Sequence, residues 1–474
     1  MTNHGTPIRV RRGAPASRVL ALVTAIAVAA AAGGGPAATP ARAQERATRG
    51  LPVIRDTEIE QLMRDYATPI LKAAGLAQQN IKVVILNDRS FNAFVMDGRH
   101  IFINAGALFE SKTPNEVIGV FAHETGHLAD GHLIRLREKL AQAQTQSVIG
   151  MLLGVGAMVA GARSGNNASI GGGAILAPQM TVQRSLLAYV RTQEDQADHA
   201  GVKFLTATHQ SARGMLELFK RLSDENLYGL SKADPYLQSH PLPPDRVAAL
   251  EVMAKSSPYF NVKDSPELQM RHDLMRAKLS GFLERPDTVY RRYPLSNRSL
   301  PARYARAIST YRHADLRAAI SQIDGLIQSE PNNPYFDELK GQALLEGGHA
   351  SEAVAPLRRA VALSNHAPLI EMLLGQALVA TNNKAVADEA IAMLRGAIRR
   401  EPEAPDGYAQ LAMAYGRKGD LAKADLAAAQ AAFTRGDYMT ARQLASRAKT
   451  RLPVGSPAWV QADDIVNVKM TKKN

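Results

Sequence analysis

Residues 123–127 read His-Glu-Thr-Gly-His, and they have the residue types and the spacing for metal-dependent hydrolysis. On an α-helix, positions i and i+4 lie on one face, so the imidazoles of His123 and His127 can reach the same metal ion. Glu124 is the next residue after His123 and points beside that ion, toward a water molecule bound to it. The spacing therefore suits a zinc ion that activates water, with Glu124 as the general base.

A catalytic zinc ion needs a third protein ligand and an open position for water. The chain has no cysteine, so this ligand must be His, Asp or Glu, and disulfides, zinc fingers and thiol nucleophiles are excluded. The segment 191–198, Arg-Thr-Gln-Glu-Asp-Gln-Ala-Asp, offers Glu194 and Asp198 on one helix face, and Asp195 is the competing ligand.

With these two motifs, H-E-x-x-H and E-x-x-A-D, the chain resembles the gluzincin metallopeptidases, in the branch that includes the CAAX prenyl protease and the HtpX heat-shock protease. The resemblance implies an enzyme that hydrolyses peptide bonds, with one zinc ion per chain. It implies that His123, His127 and Glu194 hold this ion. It also implies that Asp198 hydrogen-bonds a ligand histidine and fixes its tautomer.

A further segment, Ser-His-Pro-Leu-Pro-Pro-Asp-Arg at residues 239–246, also resembles this family. It supplies candidates that stabilise the oxyanion of the tetrahedral intermediate or position the substrate, namely His240 and Arg246. The same resemblance implies that His240 caps the open metal position and keeps the enzyme latent until a substrate displaces it. The two roles of His240 both stay open at this point.

Periodicity and capping patterns predict the helices that must position these motifs. Apolar residues recur at three- and four-residue intervals after Asp56, which indicates an amphipathic helix. Thr113-Pro-Asn-Glu116 is a capping box, and it opens a helix that carries H-E-x-x-H and runs to about Gln144. Another long helix is predicted from Ser185 to about Thr206, and the next begins at Gly214.

Three β-rich runs precede the H-E-x-x-H helix and predict a small antiparallel sheet. The first run covers residues 81–86, and the other two, 92–96 and 99–104, flank an Asp-Gly pair that is typical of a hairpin turn. We expect an extended substrate to bind along an exposed edge at 99–104. The predicted fold class is thus mostly α, with this sheet in a zincin-like peptidase domain, followed by an all-α solenoid.

The C-terminal third of the chain repeats with a period of 34 residues. Small residues at positions 307, 341, 375 and 412 are 34, 34 and 37 residues apart, and four alanines keep the same intervals: Ala319, Ala353, Ala387 and Ala424. This period resembles that of tetratricopeptide repeats, in which paired helices cross at small residues and form a concave groove. The resemblance implies a surface for a partner protein; a solenoid that only supports the first domain is the alternative.

Residues 1–43 have the pattern of an export signal. Arginines precede an apolar run of 14 residues from Val19 to Ala32, interrupted only by Thr24, and an Ala-x-Ala site ends at Ala43. A membrane-spanning helix needs about 20 residues, so we expect cleavage after Ala43 and a periplasmic protein. The expected domains are a signal peptide, a peptidase domain, a linker, a tetratricopeptide-repeat domain and a tail, at 1–43, 44–285, 286–299, 300–455 and 456–474.

Charge and composition limit the partners. Residues 1–43 contribute five arginines and no acidic residue, so their removal lowers the formal net charge from +13 to +8. No basic run or aromatic platform accompanies this charge, so we expect no nucleic acid as a partner. The apolar, glycine-containing stretch within 148–180 is expected to be a mobile lid, a hairpin that touches the membrane or a buried core helix.

The favoured function is that of an exported zinc metalloendopeptidase that acts on unfolded, misfolded or misassembled envelope proteins, with repeats that dock a client or the assembly machinery. Resemblance to the exported, repeat-bearing members of the family implies quality control of outer-membrane β-barrel proteins. The alternative is a chaperone or adaptor of outer-membrane protein assembly, in which binding dominates and the zinc site is latent. Glu124 favours the enzyme, because a purely structural site would not require that carboxylate.

Overall fold

The computed structural model of the chain describes residues 51–142, 171–227 and 235–468. The expected export signal with its Ala43 site and the greater part of the apolar stretch at 148–180 lie outside these ranges. Within them, none of the helices combines the length and the apolar character that crossing a membrane requires.

A four-stranded sheet and one amphipathic helix form the N-terminal part of the structure. The strand order in the sheet is β1-β2-β4-β3. The elements, in chain order, are β1 (Val53–Ile54), α1 (Thr57–Ala73), β2 (Lys82–Leu86), β3 (Ala93–Val95) and β4 (His100–Asn104). Asp56 caps α1 by accepting the backbone N–H of Ile59 at 3.0 Å, and the predicted apolar face of α1 is buried.

The sheet is mixed, which differs from the antiparallel sheet that the sequence predicts. β3 and β4 do form the predicted antiparallel hairpin, with Phe94 opposite Phe102. However, β4 rather than β3 lies beside β2, and these two strands run parallel. β4 lies between β2 and β3 and is the most deeply buried strand, since all five of its residues are buried and both Ile101 and Phe102 are 0% exposed. The expectation of an exposed edge at 99–104 is therefore wrong, and within the described residues β1 and β3 form the edges.

The capping box at the start of the motif helix is confirmed in part. α2 (Ala105–Glu110) is followed by α3 (Pro114–Ala129), which carries H-E-x-x-H. The hydroxyl oxygen of Thr113 accepts the backbone N–H of Glu116 at 3.3 Å. The Glu116 carboxylate accepts the N–H of Lys112 instead of that of Thr113, and it also binds Arg221 at 2.7 Å.

The motif helix is shorter than the sequence predicts. It ends at Ala129, and Gly131 adopts a φ of +63° before a second helical segment at 132–142. A residue with a side chain rarely adopts this backbone conformation, so Gly131 ends the helix where the apolar pattern by itself continues.

Five further helices complete the region around the motifs. α4 begins well before the predicted start at Ser185, while α5 begins one residue before the predicted Gly214. Large apolar side chains from α1, α3, α5 and the sheet form one buried core beneath the motif helix. The helices are α4 (Gly171–Ala207), α5 (Arg213–Leu227), α6 (Pro235–Ser239), α7 (Pro244–Ser256) and α8 (Pro266–Leu283).

The described residues fall into two compact units. The smaller unit covers 130–142 and 171–195, where the amide of Gln193 donates to the backbone oxygen of His132 at 3.2 Å. The larger unit covers 51–129 and 196–468, so it contains the H-E-x-x-H helix, the sheet and all the helices that follow α4.

Eleven α-helices and a short 3₁₀ helix at Lys384–Val386 follow α8 within the described residues, consistent with an all-α repeat region. The first of them, α9, lies in the segment expected to be a linker, and its Val289 is fully buried. They are α9 (Pro286–Arg292), α10 (Leu300–His313), α11 (Leu316–Ser329), α12 (Pro334–Glu346), α13 (Ala350–Leu363), α14 (Pro368–Ala380), α15 (Ala387–Arg400), α16 (Pro405–Lys418), α17 (Leu421–Arg435), α18 (Tyr438–Lys449) and α19 (Pro457–Asn467).

The small residues of the 34-residue period lie where paired helices cross. A Cβ on Gly341 would lie 2.3 Å from Cγ of Leu357, and a Cβ on Gly375 would lie 2.7 Å from the Leu394 side chain. Such distances leave no room for a larger residue, which is why the repeat places glycine there. The segment expected to be a tail contains α19, which buries Ala462.

Candidate metal centre

Small residues allow α3 and α4 to cross at very short range. A Cβ on Gly126, inside the H-E-x-x-H motif, would lie 2.9 Å from the backbone oxygen of Ala197, inside the E-x-x-A-D motif. A Cβ on Gly201 would lie 3.3 Å from the backbone nitrogen of His123. The small residues inside and next to the two motifs thus allow the helix backbones to approach closely, which brings the polar side chains of both motifs together.

Three histidines and one glutamate converge beside this crossing. His123, His127, Glu194 and His240 each offer one ligand atom, and these four atoms all lie within 4.8 Å of one another. Nε2 of His123 lies 3.1 Å from Nε2 of His127 and 3.4 Å from Nδ1 of His240. All are buried except His127, which is half-buried.

These donors fit a tetrahedrally coordinated ion. Ligand atoms at 2.0–2.1 Å from such an ion lie about 3.3 Å apart, which matches the two separations of the histidine nitrogens. Imidazole nitrogen and carboxylate oxygen are also ligands that zinc prefers when thiolates are lacking. The residues present therefore fit a zinc ion.

Asp198 orients one of these ligands. Its Oδ1 lies 2.9 Å from Nδ1 of His123, so Nδ1 donates its hydrogen and Nε2 keeps the lone pair that faces the cluster. Burial would raise the pKa of Asp198, but hydrogen bonds from Arg246 and His123 outweigh it and lower that pKa. Asp198 is therefore an anion with both oxygens engaged.

Arg246 joins Asp198 to the loop that carries His240. Its Nε and Nη2 donate to the two oxygens of Asp198 at 2.6 and 2.9 Å, and its Nη1 donates to the backbone oxygen of Pro241 at 2.7 Å. The sequence suggests a substrate-positioning role for Arg246. In the structure its side chain is 8% exposed and is bound to Asp198 and to the backbone of Pro241.

Glu124 and His240 face each other across the cluster. Oε1 of Glu124 lies 3.6 Å from Nε2 of His240, and Glu124 is only 1% exposed. His240 follows α6, its N–H donates to the backbone oxygen of Tyr236 at 2.6 Å, and its ring lies 4.7 Å from the Tyr236 ring. His240 thus lies beside both the cluster and the Glu124 carboxylate.

The structure also separates the site residues from their neighbours. Asp195, the competing ligand, is exposed and lies outside the cluster, while Glu194 is 3% exposed and lies inside it. His132 and His199 lie outside it too. The bridge from Arg246 to Pro241 has no signal in the sequence, whereas Gly126 and Ala197 could have been recognised as small residues inside the two motifs.

The comparisons with known proteins agree with this geometry. Residues 54–254 match the model of peptidase family M48. The chain is 24% identical to the beta-barrel assembly-enhancing protease of Yersinia pestis over 413 residues, 85% of this chain and 82% of that protein. It is 21% identical to the protease of the same name from Escherichia coli K12, over 69% of this chain and 66% of that protein.

A more distant relative is the mitochondrial metalloendopeptidase OMA1 of Schizosaccharomyces pombe, which is 24% identical over 38% of this chain and 49% of that protein. All three relatives are named as proteases, and the family match covers both motifs and the segment with His240. The chain therefore has the site of a zinc metallopeptidase, its residues 54–254 match peptidase family M48, and over most of its length it resembles the β-barrel assembly-enhancing proteases.

Proposed function

We propose that this chain is an exported zinc metalloendopeptidase that hydrolyses peptide bonds of misfolded or misassembled envelope proteins. The observation that carries the proposal is the cluster of His123, His127 and Glu194 with the Glu124 carboxylate beside it. The names of the relatives support a role in the assembly of outer-membrane β-barrel proteins. We also propose cleavage after Ala43, which makes the periplasm the compartment.

In this proposal, His123, His127 and Glu194 hold the ion, and Asp198 keeps His123 in the tautomer that presents Nε2. When bound, a zinc ion polarises a water molecule and the carbonyl group of the substrate. Glu124 accepts a proton from the attacking water and then returns it to the leaving amine. The burial of Glu124 supports this role, because a proton carrier in a water-poor site interacts strongly with its neighbours.

We propose that His240 acts as a latch on this site. A catalytic zinc ion has three protein ligands and one open position, yet the cluster holds four donors. His240 must therefore leave the cluster before a substrate carbonyl can enter. The half-buried position of His127 is compatible with access from that side.

The repeat helices, which we assign to 300–455, are proposed to dock a client or the envelope assembly machinery, while the peptidase domain covers 44–285. Membrane contact through 148–180 is a further part of the proposal. The specific alternative is a chaperone or adaptor, in which binding dominates and the site is latent. The presence of His240 as a fourth donor favours this alternative more than any other feature does.

The test compares residues 44–474 with a Glu124→Gln variant of the same chain. We expect about one zinc ion in both proteins and cleavage of casein only by the chain with Glu124. Zinc in both proteins with cleavage by neither would favour the chaperone or adaptor. Equal cleavage by both would overturn the assignment of Glu124, and chains without zinc would overturn the metal site.

A further inference from the structure

A groove of about 460 Å³ lies between the start of α1, helix α8 and the repeat helices, all within the larger unit. Its repeat side is formed by α12, α14 and α16, the first helices of three successive pairs, so the groove follows a row of helices. This volume is within the range of ligand pockets, about 300–1,000 Å³. The apolar walls are formed by Leu279, Phe282 and Leu283 on one side and Leu369, Met372 and Leu373 on the other.

One end of the groove is rich in carboxyl groups. Lys278 is 5% exposed, and its Nζ lies 2.7 Å from Asp56, 3.2 Å from Glu58 and 3.8 Å from Glu338. A single lysine thus faces three carboxyl groups in a buried setting, where unbalanced charge is costly.

The rest of the groove does not compensate for this excess. Arg55 pairs with both Glu60 and Glu401, at 2.7 and 3.0 Å. Asp406, which is 88% exposed at the groove, pairs with Arg435 at 3.0 Å. Among the residues that line the groove, the two cations Arg55 and Lys278 face the carboxyl groups of Asp56, Glu338 and Asp406, so carboxyl groups are in excess and favour a positively charged ligand.

Two hydrogen-bond acceptors in the groove wall lack donors among the described residues. Oε2 of Glu338 and Oε1 of Gln410 are both buried and accept no hydrogen bond there. Burial raises the pKa of Glu338, and Lys278 offsets only part of that rise. Both features indicate that a bound cation with N–H donors would stabilise the Glu338 carboxylate and supply the hydrogen bonds that these two oxygens lack.

We propose that this groove binds a polypeptide segment in which a lysine or arginine is flanked by apolar side chains. The cation reaches Glu338 and Gln410, and the apolar side chains pack between α8 and α14. The row of three repeat helices favours an extended chain over a small amine. This inference deepens the proposed docking role of the repeat helices and rests on it.

The test measures binding of a fluorescein-labelled ten-residue peptide, with one lysine among leucines and phenylalanines, by fluorescence anisotropy. The protein is residues 44–474 with Glu124→Gln, so that the peptide is not cleaved. We expect binding about tenfold weaker with Glu338→Gln, and likewise with a peptide that has norleucine in place of lysine. A Glu352→Gln variant is the matched control, since Glu352 is exposed on α13 and does not line the groove.

Leu373→Ala, at a half-buried wall position, gives a second variant in case Glu338→Gln unfolds the chain; circular dichroism monitors folding. The inference is overturned if the norleucine peptide binds as tightly as the lysine peptide, or if Glu352→Gln weakens binding as much as Glu338→Gln and Leu373→Ala. Failure of the groove inference can be distinguished from failure of the proposed peptidase function. Casein cleavage without peptide binding rejects only the groove inference, whereas peptide binding without cleavage rejects only the proposed peptidase function.

Discussion

The α-carbon of Gly126 faces the backbone of Ala197 so closely that a Cβ on Gly126 would lie 2.9 Å from the Ala197 oxygen. Each of these residues lies inside one of the two motifs, one position before a polar site residue. The contact therefore sets the distance at which His123 and Asp198 hydrogen-bond.

Replacing Gly126 with alanine should push α3 and α4 apart, because the new methyl group meets backbone atoms that cannot move separately. We expect a loss of about 1–3 kcal/mol in the free energy of unfolding, together with reduced zinc content. Urea unfolding and metal analysis measure these effects. Gly416→Ala is the control, because a Cβ there has no neighbour within 4 Å and alanine favours the helix. Equal behaviour of the two variants would contradict the role of the crossing.

Replacing Arg246 with alanine should leave the Asp198 carboxylate, which is 1% exposed, without the guanidinium group that donates two hydrogen bonds to it. Breaking a buried pair in this way lowers the free energy of unfolding by about 3–5 kcal/mol. An Arg246→Lys variant should recover only part of this loss, because lysine cannot form two parallel hydrogen bonds with the carboxylate. Urea unfolding measures the cost. Arg291→Ala is the control, since that pair with Asp287 is exposed. The same stability for both alanine variants would rule out the bridge.

Replacing His240 with alanine tests the latch. If His240 blocks the site, its removal should increase the initial rate of casein cleavage several-fold while zinc content stays near one per chain. Cleavage that is unchanged or slower would reject the latch, and slower cleavage would suit an oxyanion role instead. His199→Ala, an exposed position outside the cluster, should cleave like the unmodified chain.

Zinc retention should separate Glu194 from its neighbour. Glu194→Ala removes a donor of the buried cluster, so we expect most of the zinc to be lost on dialysis against a weak chelator, whereas Asp195→Ala should retain it. Because zinc stabilises only the state that binds it, its removal should also lower the melting temperature. The assignment of the third ligand is reversed if Asp195→Ala loses the metal and Glu194→Ala keeps it.

The buried His272 should make stability fall in acid. Burial lowers its pKa to about 4, and its ring bonds the Tyr66 hydroxyl at 3.1 Å and the Ser111 backbone oxygen at 2.9 Å. In the unfolded chain the pKa of histidine is about 6.5. Between pH 6.5 and pH 4 this histidine is therefore protonated in the unfolded state but neutral in the folded state. The free energy of unfolding should therefore drop by up to about 3 kcal/mol between pH 7 and pH 4.

The measurement compares urea unfolding at pH 7, 5.5 and 4.5 for the unmodified chain and for His272→Gln, which keeps one donor and one acceptor. We expect a weaker dependence on pH in the variant. His313→Gln, at an exposed histidine, should follow the unmodified chain. Parallel pH curves for all three proteins would show that His272 does not contribute.

Much of the site follows from local patterns. The H-E-x-x-H spacing determines that His123 and His127 share a helix face, because that depends only on the helical repeat. The same holds for the start of α3 at its capping residue and for the hairpin at the Asp-Gly pair. The prediction of helix ends was less accurate, because Gly131 ends α3 through a backbone conformation that apolar periodicity does not encode.

The sequence by itself thus determined the motifs, the mostly helical fold and the 34-residue period. Only the tertiary structure decided that β4 lies beside β2, that His240 lies 3.6 Å from Glu124, and that Arg246 binds Asp198. The physical reason is that these relations join residues far apart in the chain. They depend on which surfaces compete best for burial, whereas a motif depends only on the geometry of one helix.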